Sequence, residues 1–141
     1  MYNKYQAWEL SLIALCCWRE ARNQGFDGML AVAWSIRNRV MAPGKQWWGE
    51  DWEEVLLKRW QYTSFEKTDP NAVLLPGDPS TDKAWKDAID CADRAYLGAG
   101  VDPTNGATHY YAVSIPPPKW VNAVGTVFKV QIGDHRFYQA L

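Results

Sequence analysis

Apolar positions recur along this chain in two rhythms, helical for the first hundred residues and alternating at the end. Leu10, Leu12, Ile13, Leu15, Cys16 and Cys17 are apolar almost all the way round a helix. That pattern predicts a buried first helix from an Asn3 cap to about Arg22. Met29, Leu30, Val32, Ala33, Ile36 and Val40 form a stripe at three- and four-residue spacing. A second helix is therefore expected, capped by Asp27 and ended by Pro43-Gly44. Trp47, Trp48, Gly49 and Trp52 mark a loop rich in indoles. Asp51 followed by Glu54 has the pattern of a capping box opening a short helix over residues 55–59. Residues 60–80 carry Pro and Gly breakers and little periodicity, a long loop of the kind that tends to be functional in compact domains.

Ser80 or Thr81 is expected to cap the next helix, with Trp85, Ala88, Ile89, Ala92, Ala95 and Tyr96 as its stripe and Gly98 as its stop. Residues 102–106, DPTNG, form a turn by composition, Asp102 making its own turn. Residues 107–112 are expected to be extended. The period then drops to two over residues 126–132, with Phe128, Val130 and Ile132 on one face and Lys129 and Gln131 on the other. Gly133-Asp134 turns the chain into a partner strand over 135–138. The reading is an α+β fold, mainly helical with a small C-terminal antiparallel sheet. No linker divides the 141 residues, so 1–141 is read as a single domain, expected to be a monomer.

Composition changes this picture in three respects. The net charge is −1 with no basic block, which argues against a nucleic-acid or membrane-surface binder. Nine Trp and seven Tyr are too many for all to be buried, and exposed indoles offer stacking platforms for flat apolar faces such as those of sugars. The three cysteines, two of them adjacent, do not resemble a disulfide framework or a zinc site, and reduced, partly buried thiols are expected. Metal-ligand spacing and a Gly-rich phosphate loop are both missing, so no cofactor is expected. The apolar N-terminal run is interrupted by Glu9, ends in charge without a small-residue cleavage site, and is too short to span a bilayer. The protein is accordingly expected to be made in the cytoplasm without a signal peptide.

Glu20 is the candidate with the clearest chemistry. Ile13, Cys16 and Cys17 share its side of the first helix, and a desolvated carboxyl there would hold its proton near neutral pH, as a general acid must. The plainer alternative pairs it with Arg19, Arg22 or Arg37. Glycoside cleavage needs a proton donor for the leaving oxygen. Glu9 lies eleven residues earlier, roughly 16 Å along the axis and too far to act with it. Glu50, Glu53, Glu54, Glu66 and Asp69 could supply a second carboxylate but read as solvated. Cys16 or Cys17 with His109 or His135 is a Cys-His alternative, weakened by the mid-helix position of both thiols.

Four blocks then resemble the cell-wall hydrolase family typified by the spore-cortex-lytic enzyme, whose members also occur among bacteriophage lysis genes. They are Glu20-Ala21-Arg22 with Gly28, Ala31-Val32-Ala33 and Asn38-Arg39-Val40; Trp60 to Phe65, WQYTSF; Asp102 to Ala107 with His109-Tyr110-Tyr111; and Gly133 to Tyr138, GDHRFY. The resemblance spans residues 18–138. It implies a lysozyme-like fold, cleavage of peptidoglycan glycan strands, and Glu20 as the catalytic acid. A lytic transglycosylase of this kind uses one glutamate twice, so a lone acid suffices; a hydrolytic muramidase with the same acid is the alternative. Where the family commonly has Gly-Glu-Pro, this chain has Asn23-Gln24-Gly25, and Gln24 cannot carry a charge. In the remaining blocks the inferred roles are that Gln61, Thr63 and Ser64 could bond sugar hydroxyls or N-acetyl groups, and that Tyr110, Tyr111 and Trp120 could stack on sugars or orient the acid, with packing on the sheet the plainer alternative for the tyrosines. His135 reads as structural. An endolysin reaching the wall through a holin or on lysis fits this picture. A peptidase or amidase acting on the peptide stems, and a wall-binding module without catalysis, are the other readings.

Overall fold

The computed structural model describes residues 1–42, 44, 46–58 and 61–140, so Pro43, Arg59 and Trp60, which the sequence reading used, lie outside the described residues. The chain runs through helices α1 (Lys4–Ala21), α2 (Gly25–Met41), α3 (Trp52–Leu57) and α4 (Lys83–Leu97), then strands β1 (His109–Ala112), β2 (Val127–Ile132) and β3 (His135–Gln139). The strands form one antiparallel sheet in the order β1-β3-β2. Helices first and a small sheet last is the expected α+β arrangement.

α1 can be apolar nearly all round because α2, α3 and α4 all pack against it. Ile13, Cys16, Cys17 and Ala21 are fully buried beside Met29, Val32 and Ile36 of α2, and Ala88, Cys91 and Ala95 of α4. Alanines dominate the α4 side, which lets the helices approach closely. Asn3 caps α1 in a reciprocal capping box with Gln6. Asp51 caps α3 by accepting from the Glu54 amide, and α3 spans 52–57 rather than 55–59. Two expected caps are corrected. Asp82, not Ser80 or Thr81, caps α4, because Asp78 engages the Ser80 amide and hydroxyl while the Thr81 hydroxyl donates to the Asp78 carbonyl. Asp27 sits inside the first turn of α2, since a 3-10 turn over Arg22–Gln24 carries α1 almost directly into it. There the carboxylate faces the positive end of the helix dipole.

The sheet departs from the expected alternation at one residue. Phe128 pairs with Tyr138 and Val130 with Phe137, leaving Lys129 as the extra residue of a β-bulge. Val130 and Ile132 pack on the core as expected. Phe128 does not; it is exposed on the opposite face beside Tyr138 and Arg136. Phe137, fully buried, joins the sheet to the helices. The long 60–80 segment is irregular apart from two 3-10 turns, Thr63–Phe65 and Pro70–Val73. Cys16, Cys17 and Cys91 are free and buried. Among the described residues no helix is long and apolar enough to cross a membrane.

Candidate active site

Glu20 is the penultimate residue of α1, half-buried in the lining of a cleft of about 390 Å³. Its carboxylate receives three hydrogen bonds from three separate parts of the chain. The Cys16 thiol, one turn earlier on α1, and the Ser64 hydroxyl each donate to Oε2 at 3.1 Å, and the Tyr110 hydroxyl on β1 donates to Oε1. The arginine pairing that the sequence left open does not occur. Arg19 donates to the Leu74 and Ser64 carbonyls, Arg22 to the Trp18 and Arg19 carbonyls and the Asn71 side chain, and Arg37 to the Ala95 and Tyr96 carbonyls.

These contacts set two opposing influences on the Glu20 proton. Burial disfavours the anion, and the negative end of the α1 dipole, one residue away, acts in the same sense. The donors on Tyr110, Cys16 and Ser64 favour the anion. Burial wins, and the carboxyl is held above its ordinary range. The neighbouring thiol and phenol are pushed well up by the same burial, so Cys16 and Tyr110 remain protonated donors. Glu20 is thus a carboxyl whose acid form persists to higher pH and whose anion, once formed, meets three ready donors.

The donors are placed by local devices. Arg19 reaches from α1 to the Ser64 carbonyl at 3.1 Å and the Leu74 carbonyl at 3.0 Å, holding the loop down so that the fully buried Ser64 points at the acid. Arg39, buried on α2, donates to the Thr108 carbonyl at 2.5 Å and to Gln61 Oε1 at 2.9 Å. One guanidinium therefore ties β1's approach and the 61–65 loop to the same helix. Asp102 accepts from the Thr104 amide and hydroxyl, the Gly106 amide and Asn38 of α2, fixing the turn that launches β1. Gln24 exchanges bonds with the amide and carboxylate of Asp134, docking the β2–β3 turn beside the end of α1. Its uncharged amide serves that junction.

The cleft is lined by Glu20, Arg39, Gln61, Thr63, Tyr110, Tyr111, Trp120 and His135, with Ala112, Ile115 and Pro118 completing the wall. It therefore gathers Glu20, Gln61, Thr63, Tyr110, Tyr111 and Trp120 of the candidates. Ser64 lies behind the acid instead. The Gln61 amide is fully engaged, donating to the Trp48 and Val55 carbonyls while accepting from Arg39. Thr63 is exposed, its hydroxyl on Asp69 at 2.8 Å. The Trp120 ring packs against His109, Tyr111 and Tyr138. His135 is buried against the Tyr110 ring, and its Nδ1 lacks a hydrogen-bond partner among the described residues. Burial keeps its pKa below the usual histidine value, and pushes that of His109 down to about 3, so both rings are neutral at pH 7. The thiol partner of the acid, Cys16, was legible only as a neighbour one turn away, and Arg39 carried no chemical signal in the sequence.

A family model described as Cell Wall Hydrolase matches residues 23–138, a stretch that begins three residues beyond Glu20. No curated protein matches the chain. Among solved structures, the chain is similar to the catalytic domain of the germination-specific lytic transglycosylase SleB from Bacillus anthracis. The identity is 24% and the TM-score 0.69, with 97% of this chain and 98% of that one covered. It is also similar to the catalytic domain of the Bacillus cereus SleB protein, at 25% identity and a TM-score of 0.68, covering 97% and 94%. The helical body with its C-terminal three-stranded sheet is a SleB-like fold.

Proposed function

Since the chain belongs to the cell wall hydrolase family, we propose that it cuts peptidoglycan glycan strands at the MurNAc-GlcNAc β-1,4 bond as a lytic transglycosylase, with Glu20 as acid and then base. The observation that carries this reading is the Glu20 carboxyl itself, biased towards its acid form by burial yet surrounded by donors to its anion. In the first step Glu20 gives its proton to the bridging oxygen, and the C1–O bond breaks to leave an oxocarbenium-like muramyl centre. In the second, the Glu20 carboxylate takes the proton of the muramyl C6 hydroxyl while that oxygen closes on C1. A 1,6-anhydro ring forms, Glu20 is again protonated, and no water is consumed. Among the described residues that line the cleft the carboxylate is Glu20, which suits a cycle that returns its own proton; Asp69, bonded to the lining Thr63, acts on it through its charge and favours the protonated form. The Cys-His alternative finds no support in contacts: Cys16 is bonded to Glu20, Cys17 is fully buried with its thiol pushed well up, the His109 Nδ1 meets Thr108, and His135 is buried against the Tyr110 ring.

The role proposed for this activity is that of an endolysin acting on the wall after release from the cytoplasm. Its apolar N-terminal stretch is α1, the core helix that bears Glu20. The decisive experiment is mass spectrometry of fragments released from purified peptidoglycan. Anhydro-muramyl ends are expected; products carrying an added water would make the enzyme a hydrolytic muramidase with the same acid. Glu20→Gln should lower fragment release at least about a hundredfold. Its melting temperature at neutral pH should be equal or higher, because a carboxyl raised in the folded state opposes folding once it is charged. Retained release by Glu20→Gln would remove Glu20 from the mechanism.

A further inference from the structure

On the other side of Tyr111 lies a second groove of about 600 Å³, lined by Tyr111, Val113, Ile115, Pro117, Val121, Asn122, Arg136 and Tyr138. Tyr111 and Ile115 belong to both this groove and the Glu20 cleft, so the two are continuous across a shared wall. Strand geometry explains the division. Successive β1 side chains point to opposite faces, so Tyr110 reaches Glu20 while Tyr111 turns to the outer face. Arg136 is the direct partner of Tyr111 on β3, which puts it within about 10 Å of the Tyr110 backbone.

Among the described residues that line this groove Arg136 is the charged one, and none is acidic. The contacts that hold it are to uncharged groups: a side-chain hydrogen bond with Tyr138, the Gln131 amide oxygen at 3.3 Å and the Phe128 ring at 4.3 Å. The β-bulge at Lys129 brings Phe128 onto this face. The groove thus presents a fixed guanidinium in an otherwise apolar and aromatic trough, with the Asn122 amide as a further polar group.

We propose that this groove receives the carboxylate-bearing peptide stem of the muramyl residue seated in the Glu20 cleft, with Arg136 pairing its carboxylate. The inference rests on the glycan-cleaving reading above. Two features select this occupant. A stem branches laterally from the glycan through a lactyl arm, so a strand lying in the cleft would send it across the Tyr111–Ile115 wall. Its acidic residues complement a guanidinium, which binds carboxylates in a bidentate fork. Arg136 then acts on which strands are cut, by the stems they carry, and takes no part in bond breaking.

The test compares cleavage of stem-bearing, uncrosslinked strands with cleavage of the same strands stripped of peptide by an amidase. The wild type is expected to prefer the stem-bearing strands. Arg136→Gln should reduce that preference, read as the ratio of kcat/KM values, about tenfold, the loss appropriate to one charge-assisted contact. Arg136→Lys, which keeps the charge but loses the fork, should restore part of it. A ratio unchanged by Arg136→Gln would overturn the proposal, as would an equal fall on both substrates. So would an Arg136 effect that follows wall phosphate polymers instead of stems when strands with and without them are compared. Cleavage of neither substrate by the wild type would refute the glycan-cleaving reading itself, a result distinct from any of these.

Discussion

At the scale of single residues, the proposed chemistry turns on how burial and three neutral donors set the protonation of one carboxyl. Tyr110, Cys16 and Ser64 each favour the Glu20 anion, and burial outweighs them together. Removing a donor must therefore push the Glu20 pKa further up. Tyr110→Phe and Ser64→Ala are each expected to move the alkaline limb of the activity profile to higher pH, while lowering the maximal rate because the anion needed in the second step is less well held. Cys16→Ser should do the reverse to the limb, a hydroxyl being a stronger donor than a thiol. A pH–rate series on the four proteins checks this, and a limb that stays fixed in all three variants would mean another group sets it. Only one of these donors lies near in sequence. Cys16 stands four residues before Glu20, where helix spacing announces the contact; Ser64 and Tyr110 are 44 and 90 residues away, and nothing local in the chain links them to the acid.

At the scale of elements, what was legible followed from backbone periodicity, and what was not followed from side chains competing for the same backbone groups. α1, α2, α4 and β2 were readable from their apolar repeats, β3 from the Gly133-Asp134 turn before it, and the end of α4 from Gly98, which takes up its left-handed cap at φ 65°. The cap of α4 was misread because Ser80, Thr81 and Asp82 are all good caps in isolation, and only the preceding Asp78 decides which is free. Phe128 was misplaced because a bulge inserts one residue into the period, and an alternating pattern carries no mark of that. The Asp102 turn was both legible and consequential. Its carboxylate gathers four donors from Thr104, Gly106 and Asn38, so Asp102→Ala strands several polar groups at once. A loss of about 3 kcal/mol in urea unfolding is expected, with Asp102→Asn losing less. A change under about 1 kcal/mol would mean that water replaces those bonds freely.

At the scale of the whole molecule, the acid, the loop behind it and the sheet in front of it come from different thirds of the chain, and Arg39 is the residue that joins the last two. It is buried, bonded to the Thr108 carbonyl and to Gln61, and stacked near Trp48 and Tyr62 at 5.6 and 5.0 Å. A lysine could follow the same path but could not bond both partners through a planar fork or lie flat on the rings. Arg39→Lys is therefore expected to cost about 2 kcal/mol, or roughly 7 °C in melting temperature for a chain of this size. Because Ser64 and Tyr110 ride on the parts that Arg39 ties down, the same variant should also shift the alkaline limb of activity upward, although Arg39 does not touch Glu20. Arg94→Ala provides the comparison. It breaks an exposed i,i+4 pair with Asp90 and a contact with the Phe26 ring at 5.0 Å, which should move stability by less than about 1 kcal/mol and leave the pH profile where it was. If Arg39→Lys lowers the melting temperature without moving the limb, the acid's surroundings are held by contacts within α1 and the 61–65 loop alone. If both move together, the protonation of Glu20 is a property of the assembled fold.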